Sequence, residues 1–223
     1  MKDRQIRLHK VLVWDAATRL FHWLTVVLVV ACYVSWRMNW MDWHSRTGDA
    51  LLALVLFRLL WAFFGSETAR FSAFLASRRA AALYLADLVR REPDRQIGHN
   101  PVGGWMVLLL LALLLAEALT GIYVANDVAD KGPLTEIVPS AIANLVTDLH
   151  TYFWNALLVA TVLHVIAILL YGAVIRHDLV TPMLTGWKNL PPDTKQPHLA
   201  SAARAAFLLG CSVLAAAALA TYL

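Results

Sequence analysis

Charge and sulfur are what this chain has least of. Only 15% of its 223 residues are charged, and there are two cysteines. A soluble domain is closer to a quarter charged and under half apolar. Here hydrophobic residues make up 60%, and the mean hydropathy is +0.60. So few polar groups cannot clothe the outside of a domain in water. The composition defines an integral membrane protein. It excludes a nucleic-acid-binding protein despite a pI near 9.3, because the net charge of +4 is small.

Cys32 and Cys211 lie far apart inside apolar runs, and no CxxC, CxxCH or CxxxCH occurs. That excludes covalently attached c-type haem, a cysteine-rich zinc site and a disulfide framework. Both read as small apolar packing residues. No small-residue cleavage site follows the first apolar run, which is long enough to span, so the start does not read as a cleaved signal. No internal repeat, low-complexity tract or separate soluble domain is evident.

A bilayer core about 30 Å thick needs roughly 20 apolar residues of helix. Five segments qualify, over about 18–36, 45–64, 103–125, 148–174 and 203–222. Fifteen Lys and Arg fall in the N-terminal stretch, between spans two and three, and after span four; Arg37, Arg46 and Lys131 fall opposite. The positive-inside rule then puts the N-terminus in the cytoplasm and the C-terminus outside. Trp36, Trp40 and Trp43 cluster at the expected outer interface, and Trp14, Trp61, Trp105 and Trp187 at the inner one. Between spans two and three, apolar Phe71, Phe74, Leu75, Ala82, Leu85, Leu88 and Val89 recur at helical spacing among charges. They predict an interfacial helix over about 71–91 on the cytoplasmic surface.

Four histidines lie in or at the mouths of spans: His22, His44, His150 and His164. An ionisable residue at membrane depth is a functional candidate by default. His150 and His164 are fourteen residues apart, so they share a face to within about 40° and stand about 21 Å apart along the axis. They cannot bind one ion together, and each needs a partner from another helix. Depth pairs His22 with His164 near the cytoplasmic face, and His44 with His150 near the outer face. Two opposed neutral imidazoles without sulfur or carboxylate ligands suit the axial positions of a haem iron. Without attachment cysteines the haem is b-type, and two stacked haems make an electron wire. Alternatively, each histidine is a polar helix–helix contact.

Arg58 is fourteen residues beyond His44, which puts it at the depth of the inner pair. It either meets a haem propionate or snorkels to headgroups. His99, in Gly98-His99-Asn100-Pro101, is the main rival ligand. Gly103 and Gly121 share a face, which would admit either a flat porphyrin or close helix packing. Glu117 is a proton carrier or a hydrogen-bonded interior carboxyl. His9, His177 and His198 belong to loops without an assigned role. The acidic outer loop with Asp127, Asp130, Glu136 and Asp148 is a docking edge for a basic partner or simply solvated.

Val13-Trp14-Asp15, Thr18 to Trp23, Phe57 to Gly65, Gly98 to Trp105 and Thr181 to Gly186 resemble the bacterial cytochrome b561 and nickel–iron hydrogenase b-type cytochrome family over roughly residues 8–190. The resemblance implies an all-α, integral-membrane four-helix bundle with two b haems, whose histidine positions fall on His22, His44, His150 and His164. Residues 1–190 then form the dihaem domain, and 191–223 a linker and an extra transmembrane helix. That fifth span lies outside the core pattern and either caps the bundle, builds a homodimer or contacts a partner. Also implied is quinone-linked electron transfer in the bacterial inner membrane to a periplasmic c-type cytochrome or a hydrogenase or dehydrogenase subunit. By similarity with related formate dehydrogenase cytochromes, Asn100 would hydrogen-bond a quinone carbonyl. Two competing readings are a self-sufficient quinone-linked oxidoreductase acting on a small redox substrate, and a haem-free transporter with a histidine–Glu117 proton relay.

Overall fold

The computed structural model describes residues 8–75, 77–88, 96–124 and 139–222. Five helices are long and apolar enough to cross a membrane: α1 (Ala16–Arg37), α2 (Met41–Phe64), α5 (Pro101–Gly121), α6 (Ser140–Leu170) and α8 (Ala202–Tyr222). Between them lie α3 (Phe71–Phe74), α4 (Arg78–Leu88) and α7 (Val180–Thr185). The single helix expected over about 71–91 is therefore broken after Phe74 within the described residues. Phe74 is buried and its backbone abuts Gly104 of α5, which ties α3 to the bundle. Residues 89–91 of that expectation, and Asp127, Asp130 and Glu136 of the acidic loop, lie outside the described residues.

Two of the spans, α1 and α5, begin where the sequence supplies a side-chain cap. Asp15 Oδ1 accepts from the Thr18 N–H at 2.6 Å to open α1. Asn100 Oδ1 accepts from the Gly103 N–H at 2.7 Å to open α5, with Pro101 preset for the first turn. A tight turn joins α1 to α2 through Asn39, whose φ of 58° is left-handed. At its C-terminal end α6 continues into a π-helical turn, Tyr171–Ile175.

Two short strands, unforeseen from the sequence, pair antiparallel: β1 (His9–Leu12) and β2 (Trp187–Leu190), with His9 opposite Leu190. They join the segment before α1 to the segment after α6. Val11, Val13, Trp14 and Leu190 form a small buried cluster there. Trp14 and Trp61 are therefore core residues rather than interface markers, at 6% and 1% exposure; Trp105 and Trp187 remain exposed. We call this end of the bundle the platform end and the opposite one the far end.

Extensive packing runs from α1 to α2, α2 to α5 and α5 to α6. α1 and α6 touch more sparsely, bridged by a stack of Tyr33 on Trp154 at 5.7 Å. α8 lies against α2, where Leu52, Ala53 and Ala216 share a core cluster with Ile122, and Leu208 packs with Phe57 and Trp61. Its linker is also tied down: Glu67 N–H donates to His198 O and His198 N–H to Glu67 Oε2, both at 2.9 Å. The fifth span thus caps the outside of α2.

Candidate functional site

At the far end, the His44 and His150 rings face each other with centroids 6.5 Å apart and planes at 88°. Two imidazoles flanking a metal at about 2 Å each have centroids about 6 Å apart. His44 Nδ1 donates to Cys32 O at 3.0 Å. His150 Nδ1 donates to Glu117 O at 3.0 Å and also meets Thr120 Oγ1 at 3.1 Å. A carbonyl can only accept, so the proton sits on Nδ1 and the Nε2 lone pair is left free for a metal. Gly121 makes room for this: a Cβ there would lie 3.2 Å from His150 Cε1. Its smallness serves the histidine ring. Glu117 Oε1 lies 3.4 Å from His150 Nε2, and its other oxygen is buried without a partner. A metal at Nε2 requires that side chain to swing aside.

At the platform end, His22 on α1 and His164 on α6 are electrostatic neighbours. His99, just before α5, joins them, with its ring 4.6 Å from Trp14 and 4.9 Å from Phe74. Burial, helped by the charges of Arg58, His164 and His22, pushes the His99 pKa down to about 3, so this imidazole is neutral. Arg58 is 2% exposed and stands over the Phe74 ring at 5.8 Å. That excludes snorkelling to headgroups. Arg58 Nη1, His99 Nδ1 and His22 Nδ1 are all buried without a hydrogen-bond partner, an arrangement that is costly unless something polar fills it.

Between the two pairs, Val55, Leu114 and Leu157 form an apolar layer with Val29 and Trp154 packed against it. Asn100 and Gly103 belong together: Oδ1 of Asn100 lies where a Cβ on Gly103 would come within 3.2 Å. That explains both residues as a helix cap. Arg19 donates to Leu184 O at 2.7 Å and so pins α1 to α7.

Among the described residues no three His, Cys, Asp or Glu side chains gather as a metal site. A metal held by either pair must bring its remaining ligands with it, as an iron porphyrin does. The Arg58 and His99 orphans suit the porphyrin's carboxylates. The residues present therefore fit haem.

Membrane-crossing helices that bring the rings of His44 and His150 together at one end, and His22, His164 and His99 within electrostatic reach of one another at the other, suit a membrane cytochrome b. The chain belongs to the prokaryotic cytochrome b561 family, whose profile matches residues 13–186. It is 22% identical to a "Probable Ni/Fe-hydrogenase B-type cytochrome subunit" of Rhizobium leguminosarum bv. viciae, covering 82% of this chain and 91% of that protein. Proteins of the same description from Rhodobacter capsulatus and Azotobacter chroococcum mcd 1 are 21% and 24% identical. Each aligns with 82% of this chain and with 83% and 90% of its own length respectively. No solved structure matches it significantly. Family membership makes this a multi-pass membrane protein of electron transfer that carries haem b.

Proposed function

We propose that the chain passes electrons across the bacterial inner membrane through two b haems, between the quinone pool and a redox protein in the periplasm. His44 and His150 hold one haem, His22 and His164 the other. The observation that carries this reading is the far-end pair, with facing rings and both Nδ1 protons committed to carbonyls. Bound haem supplies a one-electron couple at each site. The protein's part is to orient the imidazoles, to keep the layer around Val55, Leu114 and Leu157 dry, and to place buried donors at Arg58 and His99 for propionates.

Basic residues such as Arg19, Arg70, Arg176, Lys188 and Arg204 gather at the platform end, against Arg37 and Arg46 at the far end. That supports a cytoplasmic platform end and a periplasmic C-terminus. The relatives' names point to a hydrogenase subunit as the class of outer partner, and a periplasmic c-type cytochrome is the alternative of the same kind. A quinone near the platform end would take a hydrogen bond from Asn100 Nδ2, since Oδ1 caps α5.

The test is a pyridine-extraction haem count on the purified chain, with spectra before and after adding quinol. Two non-covalent low-spin haems per chain that reduce with quinol are expected. No haem in a folded, haem-supplied preparation overturns the reading.

A further inference from the structure

We propose that Arg70 and Arg204 form a seat for the headgroup of one anionic phospholipid, at the platform end of the seam between α2 and α8.

Two membrane-crossing helices end side by side there: α2 stops at Phe64 and α8 starts at Ala202. Leu208 of α8 packs with Phe57 and Trp61 of α2, so the seam is closed and apolar one turn further in. Side chains at the ends of two spans stand at the level of lipid headgroups. At that level the chain places two guanidinium groups. Arg204 Nη1 donates to Phe64 O at 3.3 Å, and Arg70 Nε donates to Gly65 O at 3.0 Å. Carbonyls of consecutive residues thus draw together two cations that come from distant parts of the sequence.

A guanidinium carries five N–H donors. Capping the last carbonyls of α2 accounts for one donor of each arginine and for no more. Among the described residues no carboxylate pairs with either. The nearest acid in sequence, Glu67, accepts the His198 N–H at Oε2 at 2.9 Å, which binds it to the linker before α8. Two like charges gathered at one spot repel, and an anion between them turns that repulsion into attraction. A phosphodiester offers the paired oxygens that planar guanidinium forks match.

The surroundings favour a lipid over a free anion. Phe63 and Phe64 are 64% and 56% exposed at the end of α2, and Phe207, one turn into α8 from Arg204, is 69% exposed. Acyl chains cover such rings, while inorganic phosphate would satisfy the arginines and leave the rings bare. A phosphate held by both arginines also ties the start of α8 to the end of α2, so the lipid acts as a staple for the fifth span.

The experiment is native mass spectrometry of the purified full chain in detergent, titrated with phosphatidylglycerol or phosphatidylcholine. Melting temperatures are measured in parallel. The wild type should hold one phosphatidylglycerol more tightly than any further copy, and phosphatidylcholine should not displace it. Arg70→Gln and Arg204→Gln should each weaken that first copy about fivefold. Arg204→Lys should recover part of the loss, and Arg79→Gln, which removes an exposed cation of α4, should leave the binding unchanged. Phosphatidylglycerol should raise the melting temperature of the wild type more than that of Arg204→Gln. Equal binding of the two lipids overturns the proposal, as does unweakened binding in the arginine variants. Stabilisation by inorganic phosphate equal to that by the lipid also overturns it, since the seat would then be a free-anion site. If Arg70→Gln does not fold, Arg204→Gln, whose side chain is exposed, decides alone.

Discussion

Asp15 and Trp61, forty-six residues apart, are joined by a 3.2 Å hydrogen bond from the indole Nε1 to the carboxylate Oδ2. The other oxygen caps α1, so one buried carboxylate starts the first span and moors it to the second. Asp15→Ala should cost about 1 kcal/mol for the cap and about 1–3 kcal/mol for the buried indole N–H left bare. Asp15→Asn keeps an oxygen for the cap and loses the acceptor for the indole, and should fall between. Thermal unfolding midpoints in detergent check the order; an alanine variant as stable as the wild type would refute it.

The pairing of histidines by depth has a direct consequence. Replacing either His22 or His164 by Ala should remove the same single haem, and replacing either His44 or His150 the other. Haem per polypeptide is the readout. Loss of both haems from every variant, or retention of both in any, contradicts the pairing.

The spans, and the depth at which each histidine sits, were legible in the sequence because hydropathy and a 1.5 Å rise are local properties. What was not legible depended on contacts between distant segments. Residues 9–12 and 187–190 carry no strand pattern of their own, and each is a strand only because the other lies beside it. Trp14 looks like an interface marker until β2 covers it. Phe74 continues a helical stripe in the sequence, yet its backbone is held against Gly104, and the helix ends there. Arg58 stood between two readings since spacing fixes its depth and not its neighbours. His99 was visible only as a rival ligand. Its place beside Trp14, Phe74 and Arg58 follows from how the start of α5 tucks under α3.

Gly186 is held at φ +89°, and a Cβ there would come within 2.7 Å of Trp14 O and 2.8 Å of Leu12 Cδ1. Its own carbonyl accepts from Val13 N and Trp14 N at 2.8 and 3.2 Å. Gly186→Ala should therefore cost about 1–3 kcal/mol and loosen β1. Faster tryptic cleavage at Lys10 than in the wild type is the expected sign; unchanged cleavage and stability would count against it.

His99 makes stability depend on pH. Its pKa falls from the ordinary 6.5 to about 3 in the folded chain. The unfolded chain therefore binds a proton between those values that the folded chain refuses. Stability contributed by neutral His99 is complete above pH 6.5 and is lost as pH drops toward 3, by up to about 1.4 kcal/mol per unit. In the haem-free protein, the melting temperature should fall from pH 7 to pH 4.5, and His99→Gln should flatten that slope. Equal slopes in the two proteins would show that His99 is not responsible.

The pairing of β1 with β2 fastens the segment just before α1 to one made only after α6. On the ribosome, α1 is in place long before this anchor exists, and until then the base of the helix that carries His22 is moored only toward α2, by Trp61 on Asp15 and Thr68 on Val13. Gln196 adds a second clasp, accepting from Leu12 N and donating to Lys10 O, both at 3.2 Å. The α1–α6 side, already the most sparsely packed, is thus the last to be drawn shut. The latch across that side is therefore made only after α1, α2, α5 and α6, with the histidines they carry or adjoin, have all left the ribosome.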